Sequence, residues 1–453
     1  MDLSGKKVLV VGLARTGVAL AHFLNQAGAR VTVTDMAQAQ ELAAMRQLIH
    51  NLPVEQELGV PEPNDVHRFD LILPSPGVPP ELPWLEAARR AGIPVWGELE
   101  LASHFLTRPV IAVSGTNGKT TTTTLVGMFL ATSDVKALVG GNIGTPLVSL
   151  LEKQRDADYL VLEISSFQLD TAPHFHPQIA ALLNITPDHL DRYPDYAAYV
   201  ASKANLFAAM TATEIKVLNY DDPLVRPLGR ELGTVLYFSS SEPLTEGAWL
   251  TNGIINIRLP GAPREEFPLA EIRLKGAHNL ENIMAALLLS LAAGAEPQAC
   301  REVLATFAGL PHRLEWVATQ AGVDFFDDSK GTNVGAVARS LSSFDRPVIL
   351  IAGGRDKDSD FSLLNDLIRQ RVKALVLLGE TRERLARVWE GLAPSYLAAD
   401  MDEAVARAAG LAAPGEVVLL SPACASFDMF RDYAHRGEIF QKAVKEGVYA
   451  EKK

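Results

Sequence analysis

The heptad Gly115-Thr116-Asn117-Gly118-Lys119-Thr120-Thr121 directly follows the apolar run Val110–Val113. Leu125, Val126, Met128, Phe129 and Leu130 come after it at helical spacing. A strand, a glycine-containing turn and a helix in this order aim unpaired backbone N–H groups and the positive end of a helix dipole at an anion. Lys119 adds a charge for β- and γ-phosphates, and Thr120 a hydroxyl for Mg²⁺. The spacing departs from the common phosphate loop G-x-x-x-x-G-K-[ST], because Ser114 stands four residues before Gly118 and the loop's other glycine is Gly115. A βα turn that binds nothing is the plain alternative. Gly-Lys-Thr straight after a strand favours a nucleotide-phosphate site.

Three further groups of residues carry chemical potential. Glu163 ends the apolar run Tyr159–Glu163. A carboxylate there suits Mg²⁺, which prefers hard oxygen donors, although carboxylates also end strands simply to be solvated. The segment Asn184-Ile185-Thr186-Pro187-Asp188-His189-Leu190-Asp191-Arg192-Tyr193 follows another strand. It reads either as a surface turn or as a second polar cluster beside the phosphates. Lys203 falls in the helical pattern Tyr196–Met210, and by residue type alone it belongs to a solvated face. Near the N-terminus, Gly12–Gly17 almost makes the dinucleotide turn G-x-G-x-x-G, with Ala14 in place of the middle glycine. Asp35 ends the next strand, where a ribose acceptor would sit. An α/β domain without a ligand explains that turn equally well.

The elements that must position these groups divide the 453 residues into three expected α/β domains. Residues 1–97 alternate strands (7–11, 30–34, 70–73) with helices and read as Rossmann-like. Residues 98–309 carry the phosphate loop on a parallel sheet of the P-loop ATPase type. Within them, 247–274 is β-rich with an Asn252-Gly253 hairpin signal, and predicts a small antiparallel sheet flanking the main one. Residues 310–453 restart the alternation as a second Rossmann-like domain, with helices expected over 334–341, 361–369 and 402–412. A net charge of −12 argues against nucleic-acid or anionic-membrane partners. Two cysteines without metal spacing fit a reducing compartment. No apolar run is long enough for a signal-peptide core or a membrane span. The expectation is a cytoplasmic monomer.

GTNGKTT, GGNIG (Gly140–Gly144), LEISSFQL (Leu162–Leu169), DHLDRY with Lys203, KGAHNLEN (Lys275–Asn282) and LPHRLE (Leu310–Glu315) together resemble, in order, the Mur ligase family. Its members are ATP-dependent amide-forming ligases of peptidoglycan precursor synthesis. DDSKGTN (Asp327–Asn333), AGGRDKDSDF (Ala352–Phe361) and LLSPACASFDMF (Leu419–Phe430) are most similar to the D-glutamate-adding members. The resemblance implies that ATP, Mg²⁺, UDP-N-acetylmuramoyl-L-alanine and D-glutamate are the reactants and cofactor, with an acyl phosphate and then a tetrahedral intermediate.

It also implies roles for individual residues. Arg15, Thr16, Asp35, Ser75, Pro76 and Gly77 would hold the UDP part, with Met36 following the aspartate where the family often has Thr or Arg. Asn142 would meet the substrate near its reacting carboxylate. Lys119 and the N–H groups of Gly115 to Thr121 would hold phosphates, with Thr120 and Glu163 on one Mg²⁺. His189 would serve a second Mg²⁺ with Lys203, the latter as a carbamate formed with CO₂. Asn279, Asn282 and Arg313 would face adenosine and phosphate, and Asp328 and Lys330 the nucleotide. Thr332, Lys357, Ser426 and Tyr433 would hold D-glutamate. From the residues alone, two rivals remain: a nicotinamide-dependent dehydrogenase and a nucleotide switch without ligase chemistry.

Overall fold

Three short runs rich in β-branched residues, KVLVV, VIAVS and VILIAG, become interior strands of three separate sheets. The computed structural model describes residues 1–447 apart from 189–191, 232 and 357. The described residues fall into two compact units. One holds the first two sheets. The other holds the third sheet together with Thr186–Tyr196 and Arg273–Leu280.

The first sheet comprises β1 (Lys7–Val11), β2 (Arg30–Asp35), β3 (Glu55–Leu58) and β4 (Leu71–Pro74), all parallel in the order β3-β2-β1-β4. Val11 pairs with both Thr34 and Pro74, so Gly12, Asp35 and Ser75 emerge together at one edge. β3 has the sequence EQEL. As a polar edge strand it carries no apolar signature.

The second sheet contains β5 (Val110–Ser114), β6 (Ala137–Gly141), β7 (Tyr159–Glu163), β8 (Ile179–Leu182), β9 (Ile215–Asn219), β10 (Val235–Ser239), β11 (Gly247–Thr251), β12 (Ile254–Arg258) and β13 (Glu265–Pro268). Its order is β13-β12-β11-β10-β9-β8-β5-β7-β6. The β11–β12–β13 strands are antiparallel, with Asn252 and Gly253 both at positive φ in the hairpin turn, as a type I′ turn requires. They do not form a separate flanking sheet, however. β11 pairs in parallel with β10 through Phe238↔Ala248 and Ser239↔Trp249, so they continue the main one.

The third sheet has β14 (Glu315–Gln320), β15 (Val323–Asp327), β16 (Val348–Gly353), β17 (Val372–Leu378), β18 (Ser395–Leu397) and β19 (Val417–Leu420) in the order β14-β15-β19-β16-β17-β18. Only the β14–β15 pair is antiparallel. Both faces are buried: Val348, Leu350 and Ala352 pack into one core, and Ile349 and Ile351 into the other. Alternating side chains on a central parallel strand require such double coverage. The single helix expected over 361–369 is instead a 3₁₀ turn, Phe361–Leu364, followed by an α-helix, Asn365–Arg371. No described helix is long and apolar enough to cross a membrane.

The turn after β1 depends on close packing. The helix Arg15–Gln26 approaches so closely that a Cβ on Gly17 would lie 2.0 Å from the Gly12 carbonyl oxygen. That atom is backbone and cannot move aside alone. Gly17→Ala is therefore expected to cost about 1–3 kcal/mol in chemical unfolding, as overpacking does. A midpoint equal to the wild type would show that the turn is slack.

Candidate functional site

The phosphate loop starts from β5, which lies between β7 and β8. Its neighbours therefore bring Glu163 and Asn184 to the same edge. Gly118 adopts φ +87° immediately before the helix Lys119–Thr132, and Asn282 lies against it: a Cβ at Gly118 would lie 2.1 Å from the Asn282 side-chain oxygen. Both the backbone conformation and the space select glycine.

Asn184 grips the loop three times. Its carbonyl accepts from Thr116 N (2.9 Å), its side-chain oxygen from Asn117 N (2.9 Å), and its amide nitrogen donates to the Asn117 carbonyl (3.1 Å). Lys119 Nζ donates to the carbonyls of Gly115 (2.8 Å) and Thr116 (2.9 Å), folding back over its own loop. Thr120 and Thr121 open the helix, with Thr121 buried.

Lys203 corrects the expectation of a solvated face. It is 2% exposed, its Nζ donates to the Gly115 carbonyl at 3.0 Å, and it lies 4.7 Å from the centre of the Tyr199 ring. Tyr199 in turn meets Thr116 Oγ1 at 3.0 Å. The helix Tyr196–Ala204 thus faces the loop with the side that carries Tyr199, Ser202 and Lys203. His189 lies outside the described residues.

Glu163 is buried at the end of β7. Asn142 Nδ2 donates to its Oε1 at 2.8 Å, while Oε2 has no hydrogen-bond partner among the described residues. A buried carboxylate oxygen without a donor fits a hard divalent cation. Asn142 N also donates to the Glu163 carbonyl (2.8 Å), and Arg15 reaches the Asn142 carbonyl at 3.4 Å. Arg15, Asn142 and Glu163 therefore form one connected line from the first sheet to the phosphate loop's neighbour.

Around Arg15 a cavity of about 670 Å³ is lined by Thr16, Asp35, Met36, Ser75, Pro76 and Gly77 as well as Asn142, and so gathers every residue expected to hold UDP. Asp35 is itself fastened: its two oxygens accept from Leu13 N (2.7 Å) and Ala37 N (2.9 Å). Ser75 Oγ donates to the Gly12 carbonyl (3.2 Å).

In the second unit, Asn279 and Arg313 line a cavity of about 850 Å³ walled also by Lys275, Trp316, Phe326 and Phe344. Asp328 is buried, with Oδ2 accepting from Ser340 Oγ (2.6 Å) and Ser421 Oγ (2.7 Å). Burial pushes its carboxyl up to about 6, against the pull of those two serines. Lys330 Nζ lies 3.7 Å from the centre of the Tyr433 ring. Thr332 follows β15 and Ser426 follows β19, and these strands are neighbours. Lys357 lies outside the described residues.

Four structural contributors escaped the residue-level reading. Asn184 stood at the head of a singled-out segment, yet its side chain was given no task. Tyr199, in the helix that carries Lys203, was not singled out. His312 occupies the left-handed region (φ +60°) and donates from Nδ1 to Asp327 Oδ2 at 2.7 Å, which raises its pKa. The fully buried Arg436 ties Ser329 to Cys424 by donating to the Ser329 side chain and carbonyl and to the Cys424 carbonyl. An Arg within an otherwise apolar helical stripe was the available signal for the last.

Three family models match the chain: the Mur ligase MurD-like N-terminal domain over residues 6–97, the Mur ligase middle domain over 113–290, and the Mur ligase glutamate ligase domain over 312–424. Two curated relatives, from Geobacter metallireducens and Geotalea daltonii, are each 47% identical to this chain, each alignment covering 98% of both sequences. Both are named UDP-N-acetylmuramoylalanine--D-glutamate ligase. Among solved structures, a pseudomurein peptide ligase type C from Methanothermus fervidus superposes with a TM-score of 0.62 at 17% identity, covering 98% of this chain and all of that one. That likeness concerns the fold.

Glu98 also lines the 670 Å³ cavity, and its Oε1 accepts from Val148 N at 2.7 Å. Burial pushes its carboxyl up to about 7, partly offset by the backbone donors Val148 and Leu147. The protonated form is thus favoured by folding. Its stabilising contribution is complete below the ordinary carboxylate value of 4.5 and is lost as pH rises through about 7. Glu98→Gln should leave stability at pH 4 nearly unchanged and raise it above pH 7, by a margin on the order of 3 kcal/mol or less. Denaturant midpoints across that range test this; parallel curves for the two proteins would refute it.

Proposed function

The chain belongs to the Mur ligase family, and from that premise we infer that it joins D-glutamate to UDP-N-acetylmuramoyl-L-alanine at the expense of ATP. The observation that carries this reading is the phosphate loop set between Glu163 and Asn184, in a chain alike over its full length to D-glutamate ligases. We assign the UDP part to residues 1–97, ATP to 98–309 and the amino acid to 310–453, acting in the cytoplasm.

A carboxylate does not condense with an amine at neutral pH, because its oxygen leaves badly. The L-alanyl carboxylate attacks the γ-phosphorus of ATP, forming an acyl phosphate and releasing ADP. The D-glutamate amine then adds to the acyl carbon, and collapse of the tetrahedral intermediate expels phosphate. The protein's part is positioning and charge stabilisation. Arg15, Thr16, Asp35 and Ser75-Pro76-Gly77 hold the UDP moiety, and Asn142 orients the reacting end. Lys119 turns from the carbonyls of its own loop to the phosphates. Asn279, Asn282, Arg313, Asp328 and Lys330 hold the nucleotide, while Thr332, Lys357, Ser426 and Tyr433 hold D-glutamate. Thr120 and Glu163 are the residues that would hold Mg²⁺, which supplies neutralisation of phosphate charge. The unpartnered Glu163 oxygen supports that assignment. His189 and a carbamylated Lys203 would serve a second ion. A buried lysine touching the phosphate loop supports this role, because truncating a solvated lysine has no catalytic consequence.

Phosphate release measured with each substrate omitted in turn tests the reaction. Release should require both the UDP-substrate and D-glutamate, with L-glutamate very poor because inversion at Cα exchanges amine and carboxylate. Release independent of the UDP-substrate would favour a nucleotide switch. NAD binding lost in Asp35→Ala would favour a dehydrogenase.

Lys203→Ala should fold yet lose at least about 10²-fold in rate. Lys203→Arg should be no better, since a guanidinium cannot form the carbamate. A small carboxylic acid should restore part of the activity to the Ala variant only. Wild-type turnover by Lys203→Ala would remove both the carbamate and the second ion's dependence on it.

A further inference from the structure

Away from the phosphate loop, Glu100 presents a carboxylate that is fully buried and has only imidazoles and one backbone N–H as hydrogen-bond or ion-pair partners among the described residues. Oε2 accepts from His174 N at 3.0 Å. Oε1 lies 2.7 Å from His174 Nδ1 and 3.4 Å from His104 Nε2. Glu100 and His104 are four residues apart, on and just past the helix Glu98–Ser103, and so share a face. Trp96 stacks on the His104 ring, with centroids 4.9 Å apart and planes 28° apart, which fixes the ring's direction. Both imidazoles are exposed.

We propose that Glu100, His104 and His174 form a site for a zinc-class divalent ion, separate from the nucleotide and Mg²⁺ residues. The three ligand atoms lie within 4.8 Å of one another. Around a tetrahedral ion with bonds of about 2.0–2.1 Å, ligand atoms sit about 3.3–3.4 Å apart. The His104–Glu100 separation already has that value, and the His174–Glu100 pair must open by about 0.6 Å to reach it. Two imidazole nitrogens and one oxygen select zinc over Mg²⁺, which takes oxygen donors. The exposed side leaves the fourth position to water. Binding requires His174 Nδ1 to give up the proton it now donates to Glu100, which the ring accommodates by carrying its proton on Nε2.

A second trio of this kind, His312, Glu315 and Asp327, is already tied together by Gln441 Nε2 donating to both carboxylates, and it borders the site described above. Among the described residues the Glu100 trio has no such competitor. An ion there would staple the helix that carries Glu98 to the turn that follows Gln168, and both of those residues line the 670 Å³ cavity. Zinc should therefore stiffen the wall of that cavity and raise the melting temperature.

The test uses the full chain, stripped with a chelator, in excess Mg²⁺. Zinc titrated calorimetrically should bind once per chain and raise Tm, and Co²⁺ should give the intense visible absorption of a tetrahedral complex. His104→Ala and His174→Ala should each weaken zinc at least about tenfold and lose the zinc-dependent rise in Tm, measured against each variant's own metal-free Tm. His176→Ala and Glu163→Gln should bind zinc as the wild type does. Zinc binding unchanged in both histidine variants, or absent from the wild type, overturns the proposal. So does zinc binding lost in Glu163→Gln alone, which would assign the ion to the phosphate site.

Discussion

The three-point grip of Asn184 on the phosphate loop is the constraint on which the central site depends. A turn that opens toward an anion has little regular structure of its own, so something outside it must hold its shape. Asn184, two residues past β8, does so with backbone and side chain, taking the Thr116 and Asn117 N–H groups and leaving Gly118, Lys119 and Thr120 at the mouth of the helix. The interior position of β5 makes this possible. A loop on an edge strand would have a neighbour on only one side, and could not be braced by Asn184 while facing Glu163 on the other.

From Glu163 the same logic extends into the first sheet. Asn142 spends its side chain on Glu163 Oε1 and its backbone N–H on the Glu163 carbonyl, then offers its own carbonyl to Arg15. Arg15, which lines the cavity assigned to UDP, is thereby linked through Asn142 to the carboxylate assigned to Mg²⁺. Such a line restricts where the end of a long substrate can come to rest, and positioning of that kind is most of what an acyl-phosphate ligase asks of its protein.

Much of this was legible in the residues, for identifiable reasons. The strands around the site are apolar runs that end in a chemically distinctive residue, as in Tyr159–Glu163, and such runs announce both strand and edge. What could not be read were elements whose signal is not apolar. β3 is EQEL, and β14 is the mixed stretch EWVATQ, which pairs antiparallel with β15 through a turn at Ala321 and Gly322, both at positive φ. The antiparallel strands β11–β13 were recognised from their turns. Turns report the pairing within a hairpin but not which strand lies beside it, so the join to β10 was invisible. Lys203 shows the same limit in a side chain. Residue type predicts solvent, and only the fold reveals that Tyr199 and the Gly115 carbonyl cover it.

That burial has a consequence for the chemistry of the site. Lys119 and Lys203 both donate to the Gly115 carbonyl, at 2.8 and 3.0 Å, with Lys119 reaching the Thr116 carbonyl as well, which brings two ammonium groups close together. Like charges repel, and they do so more strongly where burial lowers the effective dielectric. One way to relieve the crowding is for Lys119 to swing onto phosphates, which is its assigned task. The other is to change the sign of the second group. In the proposed carbamate, reaction of the neutral Lys203 amine with CO₂ replaces a cation by an anion, turning a repulsive pair into an attractive one. Arginine at position 203 would retain the repulsion, and alanine would remove it without supplying the anion. The closeness of the two lysines to one carbonyl gives the proposed carbamate an electrostatic rationale separate from the metal.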